Sequence, residues 1–461
     1  NALASQERAL FCMEIDTNRG ISATIANLAR FDPQHPPLYY LLSRLLLGWV
    51  HNTVLATRLV AALAGVLLIP AMYFLGFELF RSHYVAVISS ALVAVSPFHQ
   101  VYAQEARQYS LWALLVACST LALLKAVRKQ NVYNWLLYGL TITASLYTFI
   151  FSLVVALSHG LYVLYCSNKC RDLRLLFRYG LSTLLSVLAF TPWLVNIGIG
   201  KSSKINAAGW TQLPMPFSSL MRSWVGHLKS LFVDFNLEPT AAVLPAIIAI
   251  AFLLVLLVSY SLVWSVRHMP RKPLFCLMTL GGLLAILLVG ADLLMGGRRS
   301  TVSRYLIPTY LSLQLLAAYF FSTHLMLPKP NIRRLWQSIL ALVLAMGIVS
   351  NAVHVRADIW SNKRPSHLNQ RVARVIGLQS ESLVIIGNSG AGELMSLSHY
   401  LEPTQKLLVI KGAEDLDLIN FPKMIFALNL HPDRQKIIEN QGYKILEKYE
   451  LHPNFASFEL K

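Results

Sequence analysis

The chain has 461 residues, 55% of them hydrophobic and 13% charged, with a formal net charge of +18. An ordinary soluble domain is roughly 25% charged, so this composition excludes a string of soluble globular domains, which would lack the polar residues to cover their surfaces. A Lys/Arg excess is normal for the cytoplasmic loops of membrane proteins and calls for no nucleic-acid partner, and five cysteines without a CxxC pair indicate neither a disulfide framework nor a zinc site.

In chain order, the polar start at Asn1 has no signal-like apolar stretch ahead of it, as expected of a fragment or a processed chain. Residues 37–50, PLYYLLSRLLLGWV, are too short to span a bilayer. Pro36 and Pro37 suit a helix start, and Tyr39, Tyr40 and Trp49 suit an interface, so a helix lying on the outer membrane surface is predicted. Spans follow at 53–77, 174–197, 241–265, 273–294, 303–327 and 335–353. The stretch 84–127 reads as two helices broken at Ser96-Pro97 and YAQEARQYS, and 133–166 as two more around Tyr147 to Ser152. The expectation is a bundle of about ten spans.

Basic residues sort these connections into two sides. One side receives Arg81; Lys125, Arg128 and Lys129; Lys169, Arg171, Arg174 and Arg178; Arg267, Arg271 and Lys272; then Lys329, Arg333 and Arg334. The positive-inside bias makes that side cytoplasmic. The other side receives 98–108, 198–240, 295–302 and both termini. Beyond 353 the composition changes. LVII (383–386), LLVI (407–410) and MIFAL (424–428) read as strands alternating with helices over 392–401 and 432–441. The predicted domains are therefore a first extracytoplasmic loop over 1–52, a membrane domain over 53–353 and a small extracytoplasmic α/β domain over 354–461.

Ionisable groups at membrane depth are costly and mark functional sites by default. The outer face collects Asp32, His35, Glu105, Arg107, Arg298, Arg299 and Arg304, with Tyr102, Tyr109 and Tyr305 among them. In FDPQHPPLYYLL the prolines fix the backbone beside Asp32 and His35, which suits groups that must meet a substrate, although a helix cap followed by a turn would use the same residues. In SPFHQVYAQEARQYSLW a regular helix would point Glu105 and Arg107 about 200° apart, so they would address different groups. Arg107 suits an anionic phosphate because its planar fork donates two parallel hydrogen bonds; a snorkelling arginine beside a capping glutamate is the bland alternative. GGRRSTVSRYLIP places three arginines against the positive-inside bias, for which a lipid phosphate or plain headgroup contact gives a reason. The Gly-rich IIGNSGAGEL (385–394) lacks the G-x-G-x-x-G order and reads as a tight βα turn. His83, His159 and His324 have no i,i+4 partner, so no metal site is indicated.

DPQHPPLYYLL, ATRLVAALAGVLLIPAMYFLGFELF and SPFHQVYAQEARQYSLWALL, in that order, resemble the membrane glycosyltransferases of the GT-C class. The nearest groups are the protein-mannosyltransferase-like (family 39) and aminoarabinose-transferase-like enzymes, with bacterial members of unassigned substrate in particular, and the resemblance covers roughly residues 20–325. It implies an all-α polytopic inner-membrane protein of GT-C type whose active site lies at the extracytoplasmic face. The implied reaction is an inverting transfer of a sugar from a polyprenyl phosphate to a lipid, glycan or protein acceptor. On the same grounds Arg107, Arg304, Tyr305 and Arg299 would hold the donor phosphate, and interfacial helices would cover 20–30 and 37–49. The acidic pair that the family carries after its first span is not visible here. Glu14 and Asp16 lie in the corresponding loop but do not match its pattern, so the chain is expected to be truncated with its usual base upstream. Asp32, Glu105 and His35 are then the catalytic candidates. No cofactor is required beyond the lipid-linked sugar, while a divalent metal stays open. A transporter or flippase of lipid-linked sugars, or a non-catalytic membrane-bound member that binds a partner, is the competing reading.

Overall fold

The structure is a computed structural model. It describes residues 3–5, 20–50, 52–200, 209–235, 242–357, 369–378, 382–387, 397–398, 400–401, 405–410, 424–428, 432–440, 442–449 and 455–460. The chain divides into two compact units, Thr17–Val355 and a second formed by Asn1–Asp16 with Arg356–Lys461.

The larger unit is helical. It opens with two short helices, α1 (Ile21–Phe31) and α2 (Leu38–Leu47), over the segments where helices were expected. Tyr39 of α2 is buried against Val60, Ala61 and Leu111, and its hydroxyl donates to the Thr57 carbonyl at 2.6 Å. Next come α3 (Thr53–Phe80), α4 (His83–Ala94), α5 (Pro97–Gln104), α6 (Tyr109–Lys129), α7 (Val132–Leu146), α8 (Ser152–Cys170) and α9 (Leu173–Gly200). After these run α10 (Phe217–Ser230), α11 (Leu244–His268), α12 (Arg271–Met295), α13 (Ile307–His324) and α14 (Pro330–Arg356).

Helix α3 shows why these segments settle in lipid. Its 28 residues are apolar all round, its start is capped by the Asn52 side chain accepting from Leu55 N–H at 2.9 Å, and it ends at Arg81 in a left-handed conformation. A helix with no polar face can be satisfied only inside a bundle or a membrane. Among the described residues, seven helices are long and apolar enough to cross a bilayer, and eight segments qualify if α4 and α5, bent by 55° at their break, count as one. The ten predicted spans reach that figure only if α7 and α8 also cross, and neither meets the same measure of length and composition. Both breaks expected from sequence are present, after Ala94 and over 147–151.

Without a hydrophobic drive between helices in lipid, packing rests on small residues and internal hydrogen bonds. At Gly281 a Cβ would lie 2.7 Å from Ser312, and the Thr309 hydroxyl donates to the Gly281 carbonyl at 2.6 Å, which draws α12 onto α13. His99 meets Gln314 at 2.9 Å, and His159 meets Thr120 at 3.1 Å, so both imidazoles are satisfied inside the bundle.

The smaller unit holds a six-stranded mixed sheet of β1 (Leu3–Ser5), β2 (Ser382–Gly387), β3 (Lys406–Ile410), β4 (Met424–Leu428), β5 (Tyr443–Tyr449) and β6 (Phe455–Leu460), in the order β1-β3-β2-β4-β6-β5. Strand β2 pairs parallel with β3 and β4, as the apolar runs LVII, LLVI and MIFAL suggest. Helices α15 (Asn369–Gly377) and α16 (Pro432–Asn440) accompany it, the latter as predicted; most of the helix expected over 392–401 lies outside the described residues, as does most of the glycine-rich turn. The hairpin β5–β6 was not foreseen, because YKILEKY leaves most of its side chains at least partly exposed and carries little apolar alternation. Nor was β1: Leu3–Ser5 pairs antiparallel with β3, so a sequence division that keeps residues 1–52 together separates this strand from its sheet.

Candidate active site

Three irregular segments converge at one end of the bundle because helices stop there. Pro33–Pro37 stops α1, the non-helical turn after Gln104 separates α5 from α6, and 147–151 separates α7 from α8. With the Arg304–Tyr305 turn and Trp210 they enclose a cavity of about 390 Å³. Its wall includes Gln34, His35, Glu105, Arg107, Tyr109 and Arg304, backed by Phe149, Ile150, Phe151 and Tyr305.

The first segment is pinned from three sides. Asp32 N–H donates to Leu28 at the end of α1, Trp193 Nε1 donates to the Pro33 carbonyl at 3.0 Å, and Leu38 N–H donates to the Tyr147 carbonyl at 3.0 Å. His35 faces the cavity and holds Asp32 by its Nδ1 at 2.7 Å from the carboxylate, while Asp32 itself does not line the wall. Burial pushes the Asp32 carboxyl up, but the hydrogen bond and charge of His35 outweigh it, and with help from Arg107 the group ends below its usual value.

Glu105 terminates α5 with an extended backbone. Arg107 stands two residues on, so the pair reaches one cavity from a non-helical turn rather than from opposite helix faces. Arg304 sits in a short 3-10 turn ahead of α13, its guanidinium 5.3 Å above the Tyr109 ring and 5.5 Å from the Tyr305 ring. Its Nε is buried without a hydrogen-bond partner. Among the described residues neither Arg107 nor Arg304 forms an ion pair. Tyr305 belongs to an aromatic nest with Phe149 and Phe151, at centroid distances of 5.8 and 5.0 Å, and Tyr102 ties the Ser303 hydroxyl at 2.8 Å.

Arg299 stands apart from this group. Its side chain donates to buried Asp292 at 3.2 Å and to the Gly296 carbonyl at 2.8 Å, and it does not line the cavity. Asp292 also accepts from Arg299 N–H, Ser300 N–H and the Ser300 hydroxyl, at 2.9, 2.6 and 2.7 Å. This knot folds the turn that delivers Arg304, and the turn requires glycine. Gly297 has φ +129°, and a Cβ there would meet Arg299 at 2.5 Å and the Thr211 carbonyl at 2.9 Å. Arg298 braces the same turn by donating to the Trp210 carbonyl at 2.8 Å.

Sequence reasoning passed over Asp292, Trp210 and the Phe149–Phe151 wall. A carboxylate inside the apolar run 273–294 was a usable signal; the aromatic wall carried none, since such residues read as ordinary core. Among the described residues no three His, Cys, Asp or Glu side chains gather as a metal site would need.

Residues 34–195 match the family model of dolichyl-phosphate-mannose-protein mannosyltransferases, a segment containing His35, Glu105 and Arg107. No curated protein sequence matches the chain. ArnT from Cupriavidus metallidurans bound to undecaprenyl phosphate shares the fold with a TM-score of 0.54 at 13% identity, over 96% of this chain and 93% of that one. Arabinofuranosyltransferase AftD from Mycobacteria does so with a TM-score of 0.52 at 14% identity, over 97% of this chain and 38% of that one. The Archaeoglobus fulgidus oligosaccharyltransferase in its apo form gives a TM-score of 0.50 at 14% identity, over 82% of this chain and 59% of that one. Identities of this size carry the fold and not the substrates. The matched segment covers less than half of the chain and the solved structures share its fold alone, so this integral membrane protein has the architecture of the GT-C glycosyltransferases.

Proposed function

We propose that the chain transfers a sugar from a polyprenyl phosphate to an acceptor hydroxyl or amine at the extracytoplasmic membrane face. The observation that carries this reading is the pair of arginines, Arg107 and Arg304, lining one cavity and forming no ion pair among the described residues, one of them with a buried unsatisfied donor. A buried donor left unpaired costs about 1–3 kcal/mol, and a phosphate oxygen would satisfy it. ArnT of Cupriavidus metallidurans, a protein of the same fold, is known with undecaprenyl phosphate bound, which supports a lipid phosphate as the anion.

The chemistry follows from the wall. The acceptor heteroatom attacks the anomeric carbon from the face opposite the phosphate, the bond from that carbon to the phosphate oxygen breaks, and polyprenyl phosphate leaves. Arg107 and Arg304 stabilise the charge that develops on the leaving oxygen. Glu105, on the same wall, takes the acceptor proton, and His35, steadied by Asp32, orients the sugar. The proposal asks for no cofactor besides the lipid-linked sugar. The orientation is supported by the basic loop residues, since Arg81, Arg128, Lys169 and Lys272 all belong to the opposite end of the bundle.

Transfer of radiolabelled sugar from polyprenyl-phosphate donors in proteoliposomes tests the reading. Arg107→Ala, folded by its thermal transition, is expected to lose transfer by at least tenfold. Wild-type turnover in that variant would overturn the assignment.

A further inference from the structure

The end of the bundle opposite the candidate active site contains a larger cavity, of about 870 Å³, which the transfer reaction does not use. Tyr109 lines one cavity and Arg128 the other, and they stand at the two ends of α6. Nineteen residues of helix at 1.5 Å each separate them by about 28 Å, close to the thickness of a bilayer core.

Five cations line this second cavity: Arg81, Arg128, Lys169, Arg271 and Lys272. Two of them are committed. Arg81 and Arg128 both clasp the Glu78 carboxylate, at 2.6 and 2.7 Å. Asp172 is engaged by Gln130 at 3.0 Å. Lys169, Arg271 and Lys272 form no ion pair with a described residue. The helix dipole does not explain Arg271 and Lys272, because they occupy the first turn of α12, the positive end, where the dipole favours anions. The backbone is arranged around the same space. Of the three non-glycine residues with positive φ among those described, Arg81 (φ 54°) and Gln130 (φ 51°) line it, although such a conformation costs a non-glycine residue about 1–2 kcal/mol. Beneath the cations the floor is apolar and aromatic, formed by Tyr162, Leu175 and Tyr319 among others.

We propose that this recess between α3, α6, α8 and α12 is a binding site for the headgroup of an anionic phospholipid, with the phosphate against Lys169, Arg271 and Lys272. The charge selects an anion, and the apolar floor in a bundle that crosses a membrane suits an amphiphile better than a small solute. Basic pockets between membrane helices take acidic headgroups in this way. A volume within roughly 300–1,000 Å³ is that of a ligand site rather than a packing gap. The inference stands independently of the sugar-transfer reading.

The test uses the full chain purified in a neutral detergent, with thermal stability and native mass spectrometry as readouts. The probes are phosphatidylglycerol, phosphatidylcholine and inorganic phosphate. Phosphatidylglycerol is expected to raise Tm and to stay bound, whereas phosphatidylcholine and inorganic phosphate do neither. In Arg271→Gln/Lys272→Gln the apparent affinity for phosphatidylglycerol is expected to fall at least tenfold. Lys169→Gln serves as a second variant with α12 untouched, and Arg304→Ala at the other end retains the phosphatidylglycerol effect. Equal effects of the two lipids, full stabilisation by inorganic phosphate alone, or undiminished phosphatidylglycerol binding in the charge variants would overturn the proposal.

Discussion

Replacing Arg304 with alanine removes a guanidinium that stacks on two tyrosine rings, carries an unsatisfied Nε and forms no ion pair among the described residues. If that group binds a lipid phosphate, the variant loses at least one charge-assisted hydrogen bond, worth about 1.5–3 kcal/mol. At 1.4 kcal/mol per tenfold, polyprenyl phosphate should bind about 10- to 150-fold more weakly. The fold should feel little. Two stacking contacts of about 0.5–1 kcal/mol each are lost, but an unpaired buried donor is relieved as well, and the terms oppose each other. Tm should therefore move by only a few degrees. Arg304→Lys keeps the charge without the planar fork and should recover part of the affinity. Titration of each purified variant with polyprenyl phosphate, alongside a thermal melt, reads both quantities. Wild-type affinity in Arg304→Ala would refute the phosphate role, and a collapse of Tm with it would mean that the residue holds the fold instead.

The turn behind Arg304 should behave in the opposite sense. Asp292→Ala strands Arg299 and removes four hydrogen bonds from the 296–300 turn, and breaking a buried pair costs about 3–5 kcal/mol, so a large fall in Tm is expected; an unchanged melt would contradict the knot. Gly297→Ala forces a Cβ onto Arg299 and the Thr211 carbonyl at φ +129° and should destabilise by about 1–3 kcal/mol, whereas Gly180→Ala, with open space in α9, should be neutral or slightly stabilising on chemical denaturation. Asp32 titrates below its ordinary value in the folded chain, so its contribution to stability is complete above about pH 4 and is lost as pH falls through the folded value. Hydrogen exchange over residues 32–38 should accelerate in that acidic window, and His35→Ala should move the onset to higher pH; an onset unmoved by that change would dissociate the two residues.

How far the sequence reads depends on how local each signal is. Long apolar runs such as 53–80 announce themselves, because burial in lipid leaves no polar face. The breaks at Ser96-Pro97 and 147–151 were also visible, the first from proline and the second in the stretch 133–166, which reads as two helices around Tyr147 to Ser152. The count of spans was less legible, since α7 and α8 are short or carry polar residues and their crossing depends on neighbours. The site was partly readable. His35, Glu105, Arg107 and Arg304 are brought into one wall, yet nothing in the spacing of GGRRSTVSR distinguishes Arg304, which is left unpaired, from Arg299, which Asp292 claims seven residues away across a glycine turn. The strand at Leu3–Ser5 was not legible, because three residues whose partner lies some 400 positions away carry no local pattern. The second cavity was read only as a cytoplasmic charge bias, since segments of several separate helices build it.

A structure determined with polyprenyl phosphate added tests the central claim most directly. The account predicts the lipid phosphate within hydrogen-bond distance of Arg304 and Arg107, with the tail leaving between the helices at that end. A phosphate bound at the opposite end of the bundle, with both arginines untouched, would contradict it.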